Sequence, residues 1–426
     1  MTEPFGGAVA DSRRKPFKAF RSARTRSWDN DMRPKLLIPK SRRVTRAGTM
    51  SGPLHLVYRP VPDTPVDSSA MRRLRCAMTF ITLLFLLTSC GGSGQTDVST
   101  AKRMSGVRLQ GAGSSFDAPL FSKVFDALQK QQGIEVNYQS IGSGAGVSQL
   151  TKGVIEFGAS DFPLNDEQTK TAEATSGPVV HVPVTIGAVS IGYNLPVDGL
   201  KLDGDTLSGI YLGTITTWSD PKIQALNLGL PLPSVPIVVV HRTEGSGTTF
   251  IFTSYLSAVN AEWKSRVGAS GAVAWPAGVS AKGSEGVSGQ VKSTPGAIGY
   301  FELTYSKQNQ IKSAFLKNAA GRFVAPSVAS AAAASVGAVA NMPADLKTIF
   351  VNASGDESYP ISGFSWIIVF KNQKDPAVGR AIINMLRFVV RDGQQFAESL
   401  DYAPLPTAIQ ERDEKAIQSI IISNSR

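Results

Sequence analysis

Residues 238–252, VVVHRTEGSGTTFIF, combine a single arginine with a loop of very small side chains. The pattern is typical of a strand, a loop and the first turns of a helix. The first N–H groups of a helix lack internal partners, and the helix dipole favours negative charge there. Glycines let an anion approach the backbone, and Arg242 adds a planar, permanently charged fork. A small tetrahedral oxyanion would satisfy every part of this segment.

This segment alone also fits a Ser/Thr N-cap after a turn, with Arg242 in a surface ion pair. The pattern recurs, however, at residues 111–116 (GAGSSF), 141–146 (IGSGAG) and 157–164 (FGASDFPL). Three of the four loops lead into helical patterns. In open α/β sheets such loops gather at the carboxyl ends of the strands. The repetition therefore favours one shared anion site.

Short β-like runs alternate with helical patterns along the body of the chain, which predicts an α/β fold. Residues 134–138 (IEVNY) alternate apolar and polar side chains and predict a strand. The predicted helices are 117–133, with Pro119 in its first turn and Gly133 at its end; 250–263, with Phe252, Leu256, Val259 and Trp263 on one face; and 328–340, an alanine-rich run with too little apolar bulk to enter a membrane.

The basic character of the chain is confined to one end. The 426 residues have a formal net charge of +11, but residues 1–75 hold 17 of the 44 Lys and Arg and 6 of the 33 Asp and Glu. The other 351 residues carry 27 of each sign. A balanced body argues against a nucleic-acid partner.

Residues 71–89 are typical of a lipoprotein signal peptide. Three arginines precede an apolar run of 13 residues at 77–89, too short to span a bilayer. The run ends in LTSC, residues 87–90, which resembles a bacterial lipobox and implies lipidation of Cys90. An ordinary secretory signal with a chance cysteine is the alternative. Both interpretations predict export, and cleavage with lipidation would leave the mature chain without a free thiol or a disulfide.

Residues 1–70 are rich in Arg, Pro and Ser and lie upstream of this complete signal. We expect a leader that is not native, with Met71 as the true initiator; a disordered cytoplasmic tail is the alternative. Residues 90–106 are typical of a flexible tether. The folded body is expected from residue 107 onward. Its length of about 320 residues is too great for one core, so two lobes are expected.

Six segments in order resemble the periplasmic phosphate-binding protein family of ABC-type phosphate transporters. They are GAGSSFDAPLF, NYQSIGSGAGV, FGASDFPL, HRTEGSGTTFIFTSYL, PGAIGYFELTYSKQN and LDYAPLP. The similarity runs from about residue 107 to the end. It implies a two-lobe fold with a two-segment hinge and a ligand cleft between the lobes. It also implies a periplasmic protein that captures inorganic phosphate and delivers it to membrane permease subunits. Together with the signal sequence and lipobox, it leads us to expect an exported monomer that is lipid-anchored through Cys90.

Carried over position by position, the resemblance implies a phosphate site drawn from both lobes. The implied residues are Ser115, Phe116, Ser143 and Asp161 from the first lobe, and Arg242, Ser246, Gly247 and Thr248 from the second. Simple capping remains the alternative for Ser115 and Ser143, and an Asx-turn before Pro163 for Asp161.

The chain departs from the family pattern at three positions in or near these segments. Ser115 stands where threonine is frequent, which keeps the hydroxyl. Glu244 stands where some members have aspartate, which leaves open what orients Arg242. Asp117 replaces a frequent proline and is expected to alter only the entry to the following helix.

Enzyme functions lack their signatures. His181 and His241 have no Cys, His or acidic neighbour at metal-ligand spacing, so no metal and no cofactor are expected. Hydrolase and nucleotide-binding motifs are also missing from the sequence. We expect His181 in the core or at the cleft rim, and His241 at a strand end. The alternatives to phosphate delivery are a secreted phosphatase and a binding protein for a related oxyanion such as arsenate or sulfate.

Two chain crossings are expected to form the hinge, near residues 187–191 and 359–362. Lobe I would then comprise 107–188 with 360–426, and lobe II would comprise 189–359. Ligand contacts on both lobes would favour the closed state, so closure would follow phosphate binding.

The leader supplies a first prediction. Protein isolated from its native host should lack residues 1–89, as read by intact mass. Cys90→Ala should release the protein from the membrane fraction and leave phosphate binding unchanged. An intact mass that includes residues upstream of Cys90 would contradict this processing.

Overall fold

The computed structural model describes residues 106–423. The predictions for the leader, the signal peptide, Cys90 and nearly all of the tether lie outside these residues. The strands are β1 Arg108–Gly113, β2 Glu135–Ser140, β3 Phe157–Ser160, β4 Val179–Tyr193, β5 Lys201–Leu202, β6 Val238–Arg242, β7 Val279–Ala281, β8 Ala297–Glu302, β9 Lys312–Ser313, β10 Phe315–Lys317, β11 Phe323–Val324, β12 Ser362–Phe370, β13 Asn372–Gln373 and β14 Ile421–Ile422.

The helices alternate with these strands, as the sequence predicts. They are α1 Ala118–Gln132, α2 Ser143–Thr151, α3 Asp166–Ser176, α4 Gly204–Tyr211, α5 Pro221–Leu226, α6 Gly247–Val259, α7 Ala261–Arg266, α8 Gly283–Ser293, α9 Leu303–Asn309, α10 Val328–Ala340, α11 Pro376–Val390 and α12 Thr407–Gln418, with short 3₁₀ turns at Asp392–Phe396 and Glu398–Leu400. Among the helices of residues 106–423, none combines the length and the apolar composition that a bilayer span requires.

Several predicted elements are confirmed, and one is wrong. Helix α1 has Pro119 in its first turn and ends at Gly133, whose φ of 75° is left-handed. Helix α10 matches the alanine-rich run. The predicted single helix over 250–263 is two helices, because Asn260 adopts an extended conformation and its side chain accepts the Trp263 N–H at 2.8 Å. The apolar spacing could not show this break, since it continues in phase across Asn260.

One long sheet runs through the molecule in the order β2-β1-β3-β12-β4-β8-β6-β7, with β9 paired to β4. Strands β1, β2 and β3 are parallel, and so are β6, β7 and β8. Each parallel set therefore presents the carboxyl ends of its strands at a common edge. These two edges carry the donor-rich loops.

Strand β4 joins the two parallel sets. Its residues 179–188 pair with β12, and its residues 189–193 pair with β8. The change of partner falls between Ala188 and Val189. The Val189 N–H donates to the Ile361 carbonyl at 2.8 Å, and the Tyr359 hydroxyl donates to the Val189 carbonyl at 3.0 Å. These hydrogen bonds join the two segments in which the chain is expected to cross between lobes, 187–191 and 359–362. The hinge positions and the lobe boundaries themselves stay a prediction.

Gly187 supplies a stability prediction. A Cβ at this position would lie 2.4 Å from Cζ of Phe116, whose ring is fully buried and packs edge-on against Tyr402. Because the ring has little room to move, Gly187→Ala should lower the free energy of unfolding by about 1–3 kcal/mol. Chemical denaturation measures the change.

Gly289 is the matched control, because it lies on the exposed face of α8 with no atom within 4 Å of the added carbon. Alanine there should stabilise the protein by about 0.5–1 kcal/mol. Equal stability of Gly187→Ala and the wild type would show that the Phe116 ring is free to shift.

Candidate functional site

Four helices begin at the place where the two parallel sets of strands face each other. Helices α1 and α2 follow β1 and β2, and helices α6 and α8 follow β6 and β7. The structure brings together the starts of α2 and α6, where the Gly247 N–H donates to the Ser143 hydroxyl at 3.1 Å. The Gly144 N–H also donates to the Gly245 carbonyl, at 3.0 Å. Helix starts that converge in this way concentrate positive potential.

Helix α8 contributes residues that the sequence analysis missed. The Ser284 N–H donates to the Ser115 hydroxyl at 3.1 Å, and the two hydroxyl oxygens are also 3.1 Å apart. Ser140 of β2 donates to the Glu285 carboxylate at 3.1 Å. The available signal was the KGSEG stretch at 282–286, a further small-residue loop between a strand and a helix.

Three tyrosines orient the loop that carries Ser115. The hydroxyls of Tyr138, Tyr305 and Tyr402 donate to the carbonyls of residues 114, 115 and 116 at 2.7, 2.7 and 2.5 Å. They come from β2, α9 and the chain before α12. The loop is therefore fixed through its carbonyl oxygens by three separate elements. The Phe116 N–H, implied by the resemblance as a ligand donor, donates to the Ser114 hydroxyl at 2.9 Å.

Arg242 ends β6 with its side chain only 1% exposed. Its backbone N–H donates to the Tyr300 hydroxyl at 3.2 Å, and that hydroxyl lies 2.7 Å from Oγ1 of Thr249 in the first turn of α6. Its guanidinium donates to Oε1 of Glu244 through Nε, at 2.8 Å, and through Nη2. Nη1 lies 3.5 Å from the Thr248 hydroxyl. The structure thus gives Arg242 a fixed direction toward the start of α6.

Glu244 is the partner that the sequence analysis left open. Its Oε1 also accepts the Gly283 N–H at 3.1 Å, which ties the Arg242 loop to α8. The side chain is 19% exposed. Arg242 therefore belongs to a largely buried ion pair. The alternative considered from the sequence was an ion pair at the surface.

Asp161 follows β3 and is buried. Its Oδ1 accepts the Ser365 hydroxyl at 2.9 Å, and its Oδ2 has no hydrogen-bond partner among the described residues. A Cβ added to Gly247 would lie 2.5 Å from that Oδ2, so the oxygen points at the first residue of α6. Burial raises the pKa of Asp161 to about 6, against the lowering effects of nearby hydroxyls and of Arg242. The side-chain hydrogen bonds in the turn after β3 come from Ser160 and not from Asp161. The Ser160 hydroxyl donates to the Phe162 carbonyl and accepts the Phe162 N–H.

All eight residues implied by the resemblance are buried, including Ser246, whose hydroxyl caps α6 by accepting the Thr249 N–H at 3.1 Å. Neither histidine is among these eight residues. His181 accepts the Leu164 N–H at 3.1 Å in the core, where burial lowers its pKa to about 3. His241 stacks on Trp275. Within residues 106–423, no cluster of His, Cys, Asp and Glu could hold a metal ion.

The comparisons with known proteins agree with this geometry. Residues 92–392 match the family model described as the PBP superfamily domain. The phosphate-binding protein PstS of Pasteurella multocida is 41% identical over 304 residues, which cover 71% of this chain and 87% of the relative. PstS of Xylella fastidiosa strain Temecula1 is 40% identical over 317 residues, with 74% and 86% covered.

The crystal structure of the phosphate-binding protein from Stenotrophomonas maltophilia shares the fold. The TM-score is 0.59 at 21% sequence identity, with 72% of this chain and 93% of that protein covered. The structural neighbours are two-lobe periplasmic binding proteins, which confirms the predicted fold class. The chain belongs to the PBP superfamily and, within it, to the family of PstS phosphate-binding proteins.

The Arg242–Glu244 pair supplies a third prediction. Glu244→Gln would leave the guanidinium buried without a counter-charge and should lower the free energy of unfolding by about 1–3 kcal/mol. A fully buried pair loses about 3–5 kcal/mol when it is broken, and the partial exposure of Glu244 reduces that loss. Chemical denaturation in phosphate-free buffer measures the change.

Glu262→Gln is the control, because it breaks an exposed ion pair with Arg266 and should change stability by less than about 1 kcal/mol. Equal effects of the two substitutions would show that the Glu244 carboxylate does not hold Arg242.

Proposed function

We propose that the protein binds inorganic phosphate outside the cytoplasmic membrane and delivers it to an ABC-type permease. One observation carries the proposal. Four groups lie together in the protein interior: Arg242, the start of α2, the start of α6 and the unpaired Oδ2 of Asp161. Arg242 would bind the anion through the guanidinium hydrogen that faces Thr248. The Ser and Thr hydroxyls and helix N–H groups would supply the other hydrogen bonds.

In this proposal each side of the cleft has a separate role. Ser115, Phe116, Ser143 and Asp161 would contact the anion from one side, and Arg242, Ser246, Gly247 and Thr248 from the other. In the structure the Phe116 N–H donates to the Ser114 hydroxyl, and the Gly247 N–H donates to the Ser143 hydroxyl. When the cleft opens and then closes around the anion, both N–H groups would donate to phosphate oxygens instead. Binding energy from both sides would favour the closed state.

The accompanying proposals concern attachment and assembly. Lipidation at Cys90 would hold the protein at a membrane surface, where it works as a monomer with the permease subunits. The relatives are named for binding, and we propose that this chain is likewise not an enzyme. A phosphatase would turn over a phosphate ester, so incubation of the purified protein with such an ester tests that alternative directly.

Calorimetric titration with phosphate, arsenate and sulfate tests the function. Saturable, tight binding of phosphate with much weaker binding of sulfate is the expected result. Arsenate resembles phosphate in shape and protonation, so its relative affinity measures how finely the site discriminates. Equal, weak heats for all three anions would refute the proposal.

Arg242 supplies the fourth prediction. Arg242→Ala removes the buried cation and should weaken phosphate binding by about 2–5 kcal/mol. Arg242→Lys should restore only part of this loss, because an ammonium lacks the planar fork that pairs with Glu244 and the anion together. Arg266→Ala, at an exposed position, is the control and should bind as the wild type does. A wild-type titration curve for Arg242→Ala would place that residue outside the site.

Asp161 supplies the fifth prediction, on selectivity and pH. Above about pH 6 its carboxylate can accept a hydrogen bond from protonated phosphate but repels fully ionised sulfate. Below that pH the neutral acid can donate, so sulfate binding should strengthen as the pH falls from 8 to 5. Asp161→Asn, whose amide donates at every pH, should bind sulfate with little pH dependence. Sites that match donors to acceptors can discriminate by about 10⁴–10⁵.

Titrations with sulfate at both pH values, on the wild type and the asparagine variant, decide the matter. If the wild type rejects sulfate equally at pH 5 and pH 8, the ionisation of Asp161 is not the discriminator.

A further inference from the structure

Asp117 does not behave as a residue that merely begins a helix. It stands in the N-cap position of α1, yet its side chain makes no capping hydrogen bond. It is fully buried, and its Oδ2 lies 2.5 Å from the hydroxyl oxygen of Ser365. The sequence predicts that Asp117 affects only the entry to α1. The structure corrects that expectation, because the carboxyl group points toward β12.

Ser365 connects two buried carboxyl groups. Its hydroxyl oxygen lies 2.5 Å from Oδ2 of Asp117 and 2.9 Å from Oδ1 of Asp161, with the Ser160 carbonyl at 3.3 Å. One hydroxyl has one proton, so it can donate to only one of these oxygens. If both carboxyl groups were ionised, one would face the serine oxygen with no hydrogen between them. The arrangement is satisfied only when one carboxyl group is protonated and donates to Ser365.

The surroundings decide which group carries that proton. Asp161 has Arg242 on one side and the hydroxyls of Ser114, Thr248 and Ser365 nearby, all of which favour its ionised form. Burial and the like charge of Asp161 hold the pKa of Asp117 well above the usual range. Within residues 106–423, the Ser365 hydroxyl is the one group that favours its ionised form. Three tyrosine hydroxyls also lie near Asp117, those of Tyr138, Tyr305 and Tyr402. Each donates its proton to a carbonyl of the loop after β1 and therefore does not donate to Asp117.

We propose that Asp117 is a positioning residue, held as a neutral acid that donates to Ser365, which in turn donates to the Asp161 carboxylate. This chain of two hydrogen bonds rests on the proposed phosphate function. It would keep Asp161 ionised and direct its free Oδ2 at the cleft, where it accepts the proton of a hydrogen-phosphate or hydrogen-arsenate ligand. The chain thereby favours protonated oxyanions as the class that the site accepts.

The proton on Asp117 can be detected without any ligand. Infrared spectra of the purified protein near pH 7, in phosphate-free buffer, should contain a carboxylic-acid C=O band that is lost in Asp117→Asn and retained in Asp161→Asn. Glu302 and Asp413 are also buried carboxyl groups with raised pKa values, so difference spectra are needed to assign the band. Asp413→Asn is the control and should remove a different band. Loss of the band in Asp161→Asn but not in Asp117→Asn would overturn the proposal.

Binding measurements test the consequence. Asp117→Leu cannot donate, which frees Ser365 to turn toward the Ser160 carbonyl, and phosphate binding should weaken about tenfold. Asp117→Asn, whose amide donates to Ser365 as the acid does, should recover most of that loss. Ser365→Ala deprives Asp161 of its donor directly and should weaken binding about tenfold to a hundredfold. If Asp117 were instead ionised, both Asp117 variants would remove negative charge beside the anion and bind phosphate more tightly than the wild type.

The two measurements separate the two proposals. A protein with the acid band on Asp117 that binds neither phosphate nor arsenate would refute the proposed function and the role of the chain in it. A protein that binds phosphate but has no such band would refute the role of Asp117 alone. If Asp117→Leu fails to fold, the infrared difference and the Ser365→Ala titration still decide the outcome.

Discussion

The ion pair between Arg242 and Glu244 is the interaction on which the candidate site depends. An unpaired charge in a protein interior is strongly unfavourable, so a side chain that is 1% exposed requires an anion beside it. Glu244 supplies that anion through Oε1, and the same oxygen accepts the Gly283 N–H of α8. Strand β6, the loop after it and α8 are therefore coupled through one carboxylate oxygen. Tyr300 completes the arrangement, because its hydroxyl bridges the Arg242 N–H and the first turn of α6.

The opposite side of the cleft is organised through oxygen acceptors. Three tyrosine hydroxyls bind consecutive carbonyls of the loop after β1, and each tyrosine comes from a different part of the chain. Tyr305 belongs to α9, which follows β8 in the parallel set of strands that also contains β6. A loop fixed in this way loses little conformational entropy when a ligand binds. The rigid loop and the rigid arginine explain how two groups of elements can present hydrogen-bond donors at one position.

The sequence could predict the elements and the residues of the candidate site more readily than the contacts between them. Pro119, Gly133 and the apolar spacing define α1, and the small-residue loops identify the helix starts, because these features depend on local backbone chemistry. The break at Asn260 was missed, since the apolar pattern does not change there. The role of Asp117 was also missed. Its partner Ser365 lies 248 residues away in sequence, so only the folded chain places the two together.

The formal charge of the candidate site is low for the anion site that we propose, and this would affect its selectivity. Arg242 is balanced by Glu244, and Asp161 adds a negative charge when it is ionised. In the proposed complex the dianion would therefore be held by helix starts, hydroxyls and the guanidinium hydrogens that Glu244 does not bind, with no net positive charge to attract anions in general. Such a site would discriminate between anions by whether each ligand donor and acceptor finds a partner. An oxyanion with a proton to share would satisfy Asp161, whereas one without a proton would face a carboxylate to which it cannot donate. Buried hydrogen-bond complementarity can thus separate two anions of nearly equal size and charge, which a cationic pocket would bind alike.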